Sequence, residues 1–312
     1  MFDEALKEIS SAKRVIIHRH VNPDGDALGS QIGLRRIIRD NFPSVEVYAV
    51  GDISKRYSFM DGSAMDIIPD SFYENAVAVI LDTSTTQLVS DDRYKKAKTT
   101  IRMDHHIFCE KIADMEYVDS TFESCAGLVT CFAKENNLIV SDDAAKALYT
   151  GMITDSGRFR YDSVSSKTFE LASFLMEREF DTNDIYSKLY ADELKNIITR
   201  ASFVTRIKLA SDNVAYIYTT REELAALGLD TFAASRGMVG TMSDIKGIDI
   251  WANFTETENG VICEIRSNKY NINAVAVRYG GGGHAKASGA TVADKEAAMA
   301  LLHDLTVLGE EK

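Results

Sequence analysis

The sequence predicts an α/β protein in two parts: an N-terminal parallel-sheet domain joined by a long helix to a smaller α+β domain. Three observations carry that prediction. Apolar β-type runs alternate with helical patterns through the first half. A charged helical stretch free of Gly and Pro follows, and after it the pattern changes to strand pairs and a glycine run.

The elements follow in order. "RVIIHRH" (14–20) reads as a strand, "DALGSQIGLRRIIRDNF" (26–42) as a helix and "VEVYAV" (45–50) as a strand. "NAVAVILDTS" (75–84) and "KTTIRMDHH" (98–106) are two more strands, apolar enough to be buried on both faces, as parallel strands are. Helical patterns occupy 124–137, 141–157 and 165–179, and a single connecting helix is expected within 184–207. Beyond it lie a strand at 213–220, a hairpin over 249–267 turning at Asn259-Gly260, a helix near 271–279, the run Gly280–Gly283 and a final helix from about 294. The domains expected are 1–186, a connecting helix 187–207, and 208–312.

Composition narrows the function. With 35 basic and 47 acidic residues the net charge is −12, which excludes a long basic track for nucleic acid. A small anionic substrate in a locally positive site remains allowed. The four cysteines (Cys109, Cys125, Cys131, Cys263) form no CxxC pair, so reduced thiols are expected. No stretch reaches the roughly 18 uncharged apolar residues of a membrane span, and the N-terminus has no apolar signal core. A cytoplasmic protein with no membrane partner is expected.

Acids and histidines gather at the expected strand ends. His20, Asp24 and Asp26 lie in the loop after the first strand. Asp82 ends the strand "VAVIL". Asp104, His105 and His106 end the next one, and neighbouring side chains there point to opposite sides. One of the two imidazoles can bind a metal while the other faces a substrate. Asp155 extends the inward stripe Leu148, Gly151 and Met152 of a helix, where an ionised carboxylate is expensive without a cation.

Asp24, Asp26, Asp82 and Asp155 together carry a charge of −4, which two divalent cations would balance. Neutral His20 and His106 add nitrogen donors, favouring Mn²⁺ (or Co²⁺) over Mg²⁺. Two such ions sharing a carboxylate and a water suit phosphoryl transfer. In "RYGGGGHAKASGA" (278–290), the glycines permit backbone N–H groups to approach an anion, with His284 next to them and Arg266 and Ser267 ending a nearby strand.

Taken together, "HVNPDGDALGS" (20–30), "LDTS" (81–84), "DHH" (104–106), "GMITDSGRF" (151–159) and "GGGGHAKASG" (280–289) resemble the DHH phosphoesterase superfamily, in that order and across both domains. The "TDSGRFRY" form of the fourth segment is most similar to the stand-alone oligoribonuclease/pAp phosphatase (nanoRNase) branch. The resemblance implies a metal-dependent enzyme that degrades very short oligoribonucleotides to 5′-mononucleotides and dephosphorylates pAp. It implies that His20 and Asp24 hold one cation, that Asp26, His106 and Asp155 hold the other, and that Asp82 bridges them. Asp82, His105 and His106 would be catalytic, with His105 on the scissile phosphate and Asp104 orienting a neighbouring imidazole. Arg158, Arg266, Ser267, Gly281, Gly282, Gly283 and His284 would bind substrate in the second domain or at its approach. Hydrolysis of cyclic di-AMP or pApA is the nearest alternative, and a non-catalytic nucleotide sensor a more distant one. Oligomeric state is left open, a homodimer included.

Overall fold

A computed structural model of the chain describes residues 2–310, whose contacts divide into two compact units with the boundary between Ala191 and Asp192. In the first, the order is α1 (Asp3–Ser11), β1 (Arg14–His18), α2 (Gly25–Asn41), β2 (Glu46–Ala49), β3 (Val77–Leu81), β4 (Thr99–Asp104), β5 (Met115–Val118), α3 (Cys125–Glu135), α4 (Asp142–Asp155), α5 (Ser166–Met176) and α6 (Thr182–Tyr190). The five strands form one all-parallel sheet in the order β2-β1-β3-β4-β5.

Alternate residues of the central strands feed two cores. Val15, Ile17, Val77, Val79 and Leu81 face the layer containing α1 to α5. Ile16, Ala78 and Ile80 face the opposite side. That side is covered not by helices but by irregular segments with short 3₁₀ turns, which bring Tyr73, Val89 and Tyr94 onto the sheet. Both faces are therefore buried, as the uninterrupted apolar runs require. The chain leaves β1 for β2 on one side and for β3 on the other, and a switch of this kind opens a crevice at the carboxyl ends of the strands.

One contact between helices matters for the site. A Cβ on Gly29 of α2 would come within 2.6 Å of the Ala147 carbonyl of α4, and one on Gly151 within 2.6 Å of Ala126 Cβ and 2.9 Å of Asp26 Oδ1. The glycines let α2, α3 and α4 approach until the acids at their ends converge.

The second unit runs α7 (Leu194–Val204), β6 (Lys208–Ser211), β7 (Val214–Thr219), α8 (Arg221–Leu227), α9 (Thr231–Ser235), β8 (Ile250–Thr257), β9 (Gly260–Ser267), α10 (Asn273–Arg278), β10 (Gly282–His284), β11 (Ala287–Val292) and α11 (Lys295–Glu310). Its six-stranded sheet, in the order β10-β11-β9-β8-β7-β6, is antiparallel except between β7 and β8. Leu301 and Leu305 of α11 pack on one face with Ile250, Phe254 and Ile265. Phe203, Met242 and Trp251 fill the other.

The expected connecting helix over 187–207 is corrected. Two helices, α6 and α7, are separated by extended residues at Ala191 and Glu193. Asp192 accounts for the break: its Oδ1 accepts from the Glu193 amide and from Asn196 Nδ2, and such local bonds compete with the helical pattern. Substituting Gly151→Ala forces a methyl into Ala126 and Asp26. We expect it to lower stability by about 1–3 kcal/mol in urea unfolding, and an unchanged midpoint would show that the helices are not in tight contact there.

Candidate active site

Every acid and imidazole expected at the metal site comes from the carboxyl end of a strand or a helix end nearby. β1 leads into His20, β3 into Asp82, and β4 ends in Asp104 before His105 and His106. Asp24 caps α2, its Oδ1 accepting the amides of Asp26 and Ala27. Asp26 is fully buried and accepts the Cys125 and Ala126 amides at 2.7 and 2.8 Å, so the positive end of α3 supports its charge. Asp155 closes α4.

Among the described residues these groups form three clusters within metal-ligand reach: His20, Asp24 and Asp82; Asp26, His105 and Asp155; and Asp82, His105 and His106, which links the other two. Asp82 lies between them. Its Oδ2 is 3.3 Å from His20 Nε2, and its Oδ1 is 3.5 Å from His105 Nε2 and 3.6 Å from His106 Nδ1. Oδ1 is buried yet has no properly formed hydrogen bond among the described residues. Asp82 also holds a positive φ of 48°, a strained conformation for a residue with a side chain, fixed by its amide donating to Met103 O. A buried, unsatisfied carboxylate oxygen among imidazoles and acids is what a cation would satisfy, so the residues fit a metal centre.

It is His105, not His106 as expected, that the structure brings next to Asp26 and Asp155. His105 Nε2 lies 3.8 Å from Asp26 Oδ2 and 3.4 Å from Asp155 Oδ2, and its side chain is 14% exposed. His106, expected beside Asp26 and Asp155, is 44% exposed and reaches Asp82 Oδ1 at 3.6 Å instead. The cause is Asp104, which accepts from both the His106 amide and Nδ1, the latter at 2.7 Å, and folds His106 back on the strand end. The expected opposite facing of the two neighbours does not hold: both imidazoles approach Asp82 Oδ1, at 3.5 and 3.6 Å, with their rings 4.7 Å apart, because that turn bends the chain at the strand end.

Electrostatics show how strongly the site wants positive charge. Burial alone would lower the His20 pKa, but Asp24 and Asp82 lift it to about 11. For His105, burial is likewise outweighed by Asp82, Asp26 and Asp155, giving about 10. Burial and then the Asp82 charge push Asp26 well above the carboxylate range, and burial pushes Asp155 to about 6. Asp82 is lowered despite its burial, because His105 and His20 both contact it. The surrounding carboxylates thus favour positive charge on or beside both imidazoles.

Two buried arginines that sequence reasoning missed fix this geometry. Arg19 donates to Gln31 Oε1, to the His20 carbonyl and to Asp52 Oδ1. Asp52 in turn accepts from the Asn22 amide and Ser90 Oγ, so the loop carrying His20 and Asp24 is clamped. Arg102 donates to Asp104 Oδ2 at 2.6 Å, to Glu116 and to the Ser84 and Glu110 carbonyls. An arginine at the site end of a strand run, Arg19 in "RVIIHRH" and Arg102 in "TTIRMD", was the available signal, since a buried charge must be paired. His18, given no role from sequence, is buried beside Tyr73 and Tyr94, and burial lowers its pKa to about 4.

The residues assigned to substrate are less uniform. Arg158 is exposed on a left-handed backbone (φ 65°) three residues past Asp155, its guanidinium 4.6 Å over the Tyr190 ring. In the second unit Arg266 pairs with Glu264 at 3.0 Å. Ser267 is corrected: it is buried, its hydroxyl donates to Asp249 O and accepts from the Lys269 and Tyr270 amides, and it shapes a turn. The glycine run is also not a simple open loop. Gly281 donates to Ala276 O and ends α10, while Gly282–His284 form the edge strand β10 against β11. Gly281 and Gly283 are needed because a Cβ there would strike β11 at 2.0 and 2.6 Å. A Cβ on Gly282 would meet nothing, so packing leaves that glycine unexplained and its face open. His284 is exposed beside it, its carbonyl held by Ser288 Oγ.

The chain thus combines an acid- and histidine-rich centre able to hold metal, at the carboxyl end of a parallel sheet, with a second, mostly antiparallel unit that carries a glycine run. Residues 14–152 match the DHH family N-terminal domain and residues 225–307 the DHHA1 domain, and the chain belongs to the DHH family. It is 30% identical to the bifunctional oligoribonuclease and PAP phosphatase NrnA of Bacillus subtilis (strain 168), over 100% of this chain and 99% of that one. It is 35% identical to the probable bifunctional oligoribonuclease and PAP phosphatase NrnA of Streptococcus mutans, over 93% of each. Among solved structures, an exopolyphosphatase-related protein from Bacteroides fragilis shares the fold with a TM-score of 0.82, 24% identity and coverage of 99% and 97%. Among the described residues no helix is long and apolar enough to cross a membrane.

Two predictions follow from the geometry. His105→Ala should cost the protein one bound Mn²⁺ per chain by metal analysis after equilibrium dialysis, whereas His106→Ala should keep the wild-type stoichiometry; the reverse pattern would restore His106 as the ligand. Because His20 and His105 hold protons up to about 11 and 10, ligation must displace them, so Mn²⁺ affinity should tighten as pH rises from about 6 to 9. Titration calorimetry showing no such dependence would mean the imidazoles do not ligate.

Proposed function

We propose that this chain is a divalent-metal-dependent phosphoesterase that releases 5′-mononucleotides from very short oligoribonucleotides and removes the 3′-phosphate of pAp. The observation carrying this reading is Asp82, a buried carboxylate with an unsatisfied oxygen set between two ligand clusters. The names of the full-length relatives support the substrate class.

His20, Asp24 and Asp82 would hold one cation; Asp26, His105 and Asp155, with Asp82 shared, would hold the other. Bound there, the pair would supply an activated water and charge stabilisation for an in-line displacement at phosphorus. The mixed nitrogen and oxygen donors favour Mn²⁺, with Co²⁺ or Mg²⁺ able to substitute. His106 has its Nδ1 fixed on Asp104, so its Nε2 is free to touch a phosphoryl oxygen or to hand a proton to the leaving oxygen. Arg158, exposed three residues past Asp155, would pair with a substrate phosphate. In the DHHA1 unit, Arg266, His284 and the open Gly282 backbone would bind the terminal phosphate. The net charge of −12 offers no track for long RNA, which favours substrates of a few nucleotides.

Incubation with Mn²⁺ and labelled RNA of two to about twenty nucleotides, alongside pAp, pApA and cyclic di-AMP, tests this reading. We expect rates to fall steeply with length and pAp to release phosphate. Equal rates on long and short RNA would reject the short-substrate reading, and faster turnover of cyclic di-AMP than of dinucleotide would reassign the substrate.

A further inference from the structure

The chain leaves two large apolar side chains in solvent immediately beyond His106. Ile107 is 78% exposed and Phe108 56%, in a stretch where residues 106–110 are all exposed. The Phe108 ring is not adrift. Its centroid lies 5.9 Å from the guanidinium carbon of Arg102, which is wholly buried and anchored by Asp104, Glu116 and the Ser84 and Glu110 carbonyls. Asp104 is the same carboxylate that fixes His106, so one rigid guanidinium positions both the imidazole and the ring. The neighbouring turn is tied in as well: Thr86 donates to Glu110 through its amide and its hydroxyl, and Leu88 in that turn is 41% exposed.

We propose that Phe108, flanked by Ile107, is the platform on which the base of the reacting nucleotide stacks, making it a specificity-determining residue that separates nucleotides from bare phosphate esters. The inference rests on the phosphoesterase reading above. An exposed ring with one face toward a buried guanidinium 5.9 Å away offers its other face to a ligand. Stacking is indifferent to which base is present, because every base has a π-face. A substrate with a flat aromatic group one sugar away from its phosphate can use a ring carried two residues beyond His106, the imidazole proposed above to meet the phosphoryl group. An inorganic pyrophosphate or polyphosphate would gain nothing from it.

The test is calorimetric titration of the full chain in Mn²⁺ buffer with AMP and with ribose 5-phosphate, which lacks the base. Wild type should bind AMP on the order of tenfold more tightly than ribose 5-phosphate. Phe108→Ala and Phe108→Leu should lose that preference, and Phe108→Trp should keep it. An unaltered preference in the Ala and Leu variants, or none in wild type, overturns the platform. Diribonucleotide hydrolysis on the same preparations separates the two ideas: a base preference that depends on Phe108 but comes with no hydrolysis would sink the phosphoesterase reading alone.

Discussion

Asp82 cannot be left as it stands without positive charge beside it. Its carboxylate is buried at the end of an entirely buried strand, one oxygen has no hydrogen bond, and its backbone is held at a positive φ. Three further acids, Asp24, Asp26 and Asp155, share the same space. A core with no ionic task would replace these groups by apolar ones, since unpaired buried charge is among the least favourable features a fold can carry. The same carboxylates raise the pKa values of His20 and His105, which is the effect expected of a site that favours positive charge.

The rest of the first unit keeps those groups together. A parallel sheet delivers His20, Asp82 and His105 to one edge, and the close crossing of α2 and α4 at Gly29 and Gly151 adds Asp26 and Asp155. Arg19 and Arg102 then immobilise the loops that no regular structure holds, one through Asp52 and the other through Asp104. Both arginines are fully buried and both are paired, as buried guanidinium groups must be. Partners of this kind set the orientation of a ligand as firmly as the ligand's own backbone does.

Much of this could be read from residue order. Apolar runs such as "VAVIL" announced a doubly covered parallel sheet, and strand-end acids announced the site. What escaped was short-range geometry. The Asp104 side chain bends the chain so that both imidazoles approach Asp82, an arrangement that alternation along a strand does not give. Asp192 splits a Gly- and Pro-free stretch into two helices through side-chain bonds that no propensity reports. Ser267 and Gly281 were assigned to substrate but are engaged in turns of their own fold, because a hydroxyl or an amide near a glycine run serves backbone closure as readily as a ligand. The sheet face opposite the helices was covered by 3₁₀ turns that carry no periodic signal at all.

The most direct measurement is anomalous diffraction from crystals grown with Mn²⁺. The account predicts two peaks about 3.5–4 Å apart, one on each side of Asp82, with a carboxylate oxygen directed at each ion and His105 rather than His106 on the second. A single ion, ions that avoid Asp82, or no peak at the sheet edge would contradict it.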